Sequence, residues 1–263
     1  MTSQQIDLSS GTLHVEIQGS GSPVLFVHGF PLDGRMWDAQ VERFSQDFQT
    51  IVPDLRGFGK SGSVAPGEVM GMDRYADDLN DLLDRLGVTE KICFCGLSMG
   101  GYVAWQFWKK YRDRLNSLVL CDTRAVADSD EAKENREKTA KMVEERGNDP
   151  LAEAMSPKLF APHTTGDELV RVREMILAAS TDGVAAASRG MATRPDVSDW
   201  LGEIDLPCLV VVGEHDAISP PAEMREISAA IPGSRFVEIP NAGHMSPMEN
   251  PKAFNAALAD FLS

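Results

Sequence analysis

Ile92-Cys93-Phe94-Cys95-Gly96-Leu97-Ser98-Met99-Gly100-Gly101 is the stretch from which the fold can be read. Its first four residues are a short apolar run of strand type, and Tyr102–Tyr111 after it has helical patterning. Between them lies G-x-S-x-G. The pattern alone is weak, because glycine and serine are common; a strand before it and a helix after it supply the context it requires. A turn this tight forces the serine into a strained backbone conformation, and glycine two residues to either side avoids a clash. The turn exposes the Ser98 hydroxyl at the carboxyl edge of a sheet. It also aims a helix N-terminus at that hydroxyl, whose amides can stabilise a developing oxyanion.

Outward from this point the chain keeps alternating between strand and helix. Pro23–Val27, Thr50–Val52, Leu118–Leu120, Leu209–Val212 and Phe236–Ile239 are short apolar runs without clean alternation, as expected of strands covered on both faces. Met36–Ser45, Tyr75–Leu86, Ala222–Ile231 and Ala253–Leu262 are amphipathic and of helical length. The spacing predicts βαβ units and a mostly parallel, doubly wound α/β sheet. Ile6–Leu8 and Leu13–Ile17, separated by Ser9-Ser10-Gly11, predict an opening β-hairpin. The alternation fails once. Between Asp122 and Cys208 the patterning is helical, over Asp128–Arg146, Leu169–Ala179 and Gly183–Ala192, with no strand. Residues 123–203 are therefore expected to be a helical cap inserted between two late strands of a core made of residues 1–122 and 204–263. Glu134/Lys138 and Glu137/Lys141 stand at i, i+4 spacing, the mark of a solvated helix face.

Composition narrows the function. The 263 residues are 43% hydrophobic, which excludes a disordered chain, and carry a net charge of −15, which repels phosphate backbones and anionic lipid. No Lys/Arg run exceeds Lys109-Lys110, so neither nucleic acid nor a membrane surface is an expected partner. The first residues, MTSQQIDLSS, lack the basic and apolar regions of a signal peptide, and no run reaches about 18 apolar residues. A cytoplasmic location is expected. Cys93, Cys95, Cys121 and Cys208 lie in or beside apolar runs and read as buried thiols.

A nucleophilic serine needs a base. Of the five histidines, His14 sits in the hairpin, His28 ends a strand, His163 lies in the insertion, and His215 directly neighbours Asp216. His244, in the loop Asn241-Ala242-Gly243-His244-Met245 after a late strand, is the one placed to reach Ser98. The base needs an orienting carboxylate. Asp122 and Asp216 both end apolar runs, and Asp216 yields the chain order Ser, Asp, His. Gly57-Phe58-Gly59-Lys60-Ser61-Gly62 matches a dinucleotide-binding glycine pattern, but no helix opens after it, so it is read as a structural turn. No two histidines have metal-ligand spacing on a helix, and no cofactor is expected.

Ser98 in its turn, Asp216 and His244 resemble the triad of the α/β-hydrolase fold superfamily. His28-Gly29-Phe30-Pro31 and Asp54-Leu55-Arg56-Gly57-Phe58-Gly59-Lys60-Ser61 match it too, and the resemblance covers essentially the whole chain. It implies that the backbone N–H groups of Phe30 and Met99 form the oxyanion hole. Within the superfamily the sequence is most similar to small bacterial carboxylesterases and 3-oxoadipate enol-lactonases. The resemblance implies a serine carboxylesterase working through an acyl-enzyme, and the small and flexible apolar residues of the insertion, among them Met155, Met175, Ala185 and Met191, point to short-chain carboxylic esters. A serine at position 98 argues against members that use an aspartate nucleophile. Met245 stands where the carbon–carbon bond hydrolases usually carry Trp. Alternatives are the enol-lactonase, a cofactor-free haloperoxidase and a non-catalytic receptor of this fold. Arg124, Arg189 and Arg194 are the cations nearest in sequence for an anionic lactone.

Overall fold

The computed structural model describes residues 2–263. Strands β1 (Thr2–Leu8) and β2 (Gly11–Gln18) form the expected hairpin. They are followed by β3 (Pro23–Val27), α1 (Asp38–Phe44), β4 (Gln49–Pro53), α2 (Met72–Arg85), β5 (Ile92–Leu97), α3 (Met99–Tyr111) and β6 (Leu115–Cys121). Four helices come next: α4 (Asp130–Arg146), α5 (Asp149–Leu159), α6 (Asp167–Ala178) and α7 (Thr181–Ala192). The chain then returns to β7 (Cys208–Gly213), α8 (Pro221–Ala230), β8 (Arg235–Ile239), the single turn α9 (Ser246–Glu249) and α10 (Pro251–Leu262).

All eight strands join one sheet in the order β1-β2-β4-β3-β5-β6-β7-β8. β2 pairs antiparallel with β1 and β4; every pair from β4 to β8 is parallel. In β3, β5 and β7 every residue is buried, which explains why these runs show no alternation. The chain leaves β3 for β4 on one side and crosses back to β5 on the other. Open α/β sheets bind ligands at the carboxyl ends of strands around such a reversal, and Ser98 follows β5 there. Helix α3 is buried nearly all round, from Met99 through Trp105 and on to Phe107 and Trp108, so it packs as a central helix rather than an amphipathic one.

Two stretches differ from the sequence expectation. Met36–Ser45 is not one helix: Gly34–Trp37 is a 3-10 turn, started by Asp33 accepting the Arg35 N–H, and α-helix begins at Asp38. Helix α5 was not expected, because Pro157 in its last turn breaks the helical pattern in sequence. All four cysteines are buried and free, and burial pushes the Cys93 thiol up to about 12. Among the described residues no helix is long and apolar enough to cross a membrane.

The helices between β6 and β7 are laced together by charge. Arg189 on α7 reaches both Glu137 (2.9 Å) and Glu144 (2.5 Å) on α4, so Glu137 is not the purely solvated residue its spacing suggested. Both expected helix pairs form, Glu134 with Lys138 and Glu137 with Lys141. Buried Asp128 takes Arg136 at 3.0 Å and Arg194 at 2.6 Å. The insertion is also seated on the core: Ser180 N–H donates to the Gly57 carbonyl and Met70 N–H to the Ala186 carbonyl.

Candidate active site

Ser98 has φ +54° and ψ −110°, a conformation rarely adopted by a residue with a side chain. The reason lies in the two glycines. A Cβ on Gly96 would strike the Gly100 carbonyl, and one on Gly100 would strike the Val27 carbonyl, so the strand and helix can close this tightly only with hydrogen there. The elbow is tied to the next strand: Ser98 N–H donates to the Cys121 carbonyl, and Thr123 Oγ1 donates to the Ser98 carbonyl. Met99 opens α3, so its N–H has no intrahelical acceptor.

Three further side chains emerge at the same edge. Asp216 follows β7, where its Oδ1 accepts the N–H groups of Ile218 and Ser219. Its Oδ2 lies 2.8 Å from Nδ1 of His244 in the loop after β8. Both side chains are buried. A carboxylate can only accept, so this contact favours the imidazole tautomer with its proton on Nδ1 and leaves a lone pair on Nε2. Asp122, at the end of β6, is the second carboxylate. Its Oδ1 accepts the Gly213 N–H and its Oδ2 lies 2.6 Å from Ser246 Oγ. One ligand atom each of Asp122, Asp216 and His244 lies within 4.8 Å of the others, but each is engaged by neighbours that suit an acid–base array rather than a metal. Burial, and then the charge of Asp216, hold the Asp122 carboxyl well above the usual carboxylate range.

The structure therefore brings Ser98, Asp216 and His244 to the ends of β5, β7 and β8, with Asp122 on β6 between them. Among the described residues Ser98 Oγ makes no hydrogen bond. The remaining histidines have other work. His14 Nδ1 contacts Asp54 at 3.0 Å, whose carboxylate also accepts the N–H groups of Gly34 and Lys60. The glycine-rich segment after it is thus a turn organised around Asp54. His163 packs edge-on against His215.

His28 has a role that its position at a strand end did not reveal. It is fully buried; Nδ1 donates to the Gly29 carbonyl (2.9 Å) and Nε2 accepts the Leu55 N–H (2.9 Å). The Gly29 carbonyl also accepts the Leu32 N–H. A peptide is planar, so pinning that carbonyl fixes the direction of the Phe30 N–H in the same plane. Gly29 itself abuts Ser98. Burial drives the His28 pKa below its ordinary value. The folded protein then binds fewer protons than the unfolded chain below about pH 6.5, so stability falls as pH drops through that value. The Tm gap between parent and His28→Asn, which keeps a donor for Gly29 but cannot titrate, should narrow from pH 7 to pH 5. A gap that stays constant in a thermal-shift series would mean that His28 tolerates protonation.

A family model described as alpha/beta hydrolase fold matches residues 22–251. A thermophilic esterase from Thermogutta terrifontis, known from its structure, is 49% identical, with a TM-score of 0.95 over 100% of this chain and 98% of its own. The enol-lactonase from Burkholderia xenovorans LB400 is 28% identical, with a TM-score of 0.87 over 98% and 99%. 3-Oxoadipate enol-lactonase 2 of Acinetobacter baylyi is 29% identical over 98% of this chain and 94% of its own.

Proposed function

Because the chain belongs to the alpha/beta hydrolase fold family, its chemistry is that of a hydrolase, and we propose that it is a serine carboxylesterase acting on short-chain esters. Ser98 attacks the ester carbonyl as His244 Nε2 takes its proton, and Asp216 stabilises the imidazolium. The Phe30 and Met99 amides receive the oxyanion. His244 returns the proton to the departing alcohol, and water then cleaves the acyl-enzyme by the same steps. The observation that carries this reading is the buried Asp216–His244 hydrogen bond at the edge where the strained Ser98 elbow opens. Helices α4–α7 act as the cap over that edge.

Lactone hydrolysis would use the same groups, and the enol-lactonase relatives keep it as the second reading. What favours neutral esters is the state of the arginines. Arg124 is paired with Glu223 at 2.8 Å, Arg189 with two glutamates, and Arg194 with Asp128 while stacked on Tyr102. A substrate carboxylate would have to compete with each of these internal partners. Among nitrophenyl esters, kcat/KM should rise over the first acyl carbons, each buried methylene contributing about 0.8 kcal/mol, and fall beyond roughly hexanoate as the pocket fills. Arg189→Ala should lower Tm yet leave kcat/KM on the acetate ester within about threefold. If 3-oxoadipate enol-lactone is turned over a hundredfold faster in kcat/KM than the best ester, the lactonase reading replaces this one.

A further inference from the structure

The backbone on both sides of His244 is held by the inserted helices. On the far side, Met245 N–H donates directly to the carbonyl of Leu159, the last residue of α5 (3.1 Å). On the near side the link runs through a single carboxylate. Glu249, at the end of α9, accepts the Gly243 N–H on Oε2 (2.6 Å). Its other oxygen, Oε1, accepts the Ala161 N–H (2.8 Å) and the Thr164 hydroxyl (2.6 Å), both in the connection between α5 and α6. Gly243 packs backbone to backbone on Phe160 and Ala161, with no room for a Cβ. Among the described residues no Lys, Arg or His forms an ion pair with Glu249, so its half-buried charge is met by these three donors. Charge-assisted bonds of this kind are about twice as strong as neutral ones.

We propose that Glu249 is a positioning residue for His244, which locks the loop of the base to the segment Leu159–Thr164 and makes the seating of the cap a condition of proton transfer. The proposal rests on the esterase reading above. It follows that the segment Leu159–Thr164 is not a free lid: displacing it removes the acceptor of the Met245 N–H and two of the three donors that hold Glu249 against the Gly243 N–H. A base displaced by about 1 Å costs on the order of a hundredfold in rate, so the effect falls on kcat rather than on KM.

Glu249→Gln tests this. A carboxamide has one acceptor oxygen, so its NH2 group must face either the Gly243 N–H or the Ala161 and Thr164 donors. The variant should remain folded at 25 °C, with kcat lowered about tenfold to a hundredfold and KM within about threefold. The rate of fluorophosphonate labelling at Ser98, read by intact mass, should fall in parallel. Thr164→Val, which removes only the cap-side hydroxyl, should lower kcat by a smaller factor, and Thr164→Ser should restore it, giving a readout even if Glu249→Gln folds poorly. Parent-like kcat and labelling rate in Glu249→Gln and Thr164→Val, with Tm alone reduced, would overturn the positioning role and leave the esterase reading intact. A parent protein that is not labelled at Ser98 would overturn both.

Discussion

Ser98→Ala should yield a folded protein whose kcat on an activated ester is about 10⁴- to 10⁶-fold lower than the parent's. The size of the loss comes from the step removed. Without Oγ no acyl-enzyme forms, while the Phe30 and Met99 amides and the binding surface remain and support only a residual rate. The substitution removes a single atom from a half-buried position, so a large loss of fold is not expected. A fluorophosphonate should shift the mass of the parent by one adduct and leave the variant unmodified. Activity within tenfold of the parent would refute the nucleophile. An intact rate with the label on another serine would move the site elsewhere.

Asp216→Asn should lower kcat by about 10⁴, whereas Asp122→Asn should cost far less. The two carboxyls are neighbours, yet they do different things. Asp216 accepts the proton-bearing Nδ1 of His244, and an amide there would offer a donor to a donor and favour the wrong tautomer. Asp122 is held toward its protonated form by burial and by the adjacent Asp216 charge, and an asparagine reproduces the shape and donor capacity of that form. Its raised pKa also has a consequence for stability. The folded protein retains a proton that the unfolded chain loses above about pH 4, so this site destabilises the fold progressively as pH rises. The Tm of Asp122→Asn relative to the parent should therefore increase from pH 5 to pH 7. A relative Tm that decreases over that range would show Asp122 ionised in the fold, and a kcat ranking in reverse would make it the acid.

The tight turn around Ser98 and the mostly parallel sheet were legible in the chain itself. Gly96-Leu97-Ser98-Met99-Gly100 follows a short apolar run, and the clash that a Cβ on Gly96 would make is with Gly100, four residues on, so that part of the turn is local; the contact of Gly100 with Val27 exists only once β3 lies beside β5. Of the charge pairs of the insertion, Glu134–Lys138 and Glu137–Lys141 follow from helical spacing, while Glu137–Arg189 joins residues 52 apart and needs α4 packed on α7. Helix α5 was hidden by Pro157, which stands in its last turn. Chain order pointed to Asp216 over Asp122 as the acid, since both follow apolar runs, but the contact of Asp216 with Nδ1 of a histidine beyond a different strand exists only in the tertiary structure. His28 and Glu249 left no local signal at all. Each bonds to groups distant in sequence, the Leu55 N–H for the one and the Ala161 N–H and Thr164 hydroxyl for the other. Local sterics and hydrophobic burial are written residue by residue along the chain, whereas a hydrogen bond across the sheet edge exists only once the strands and the insertion have been brought together.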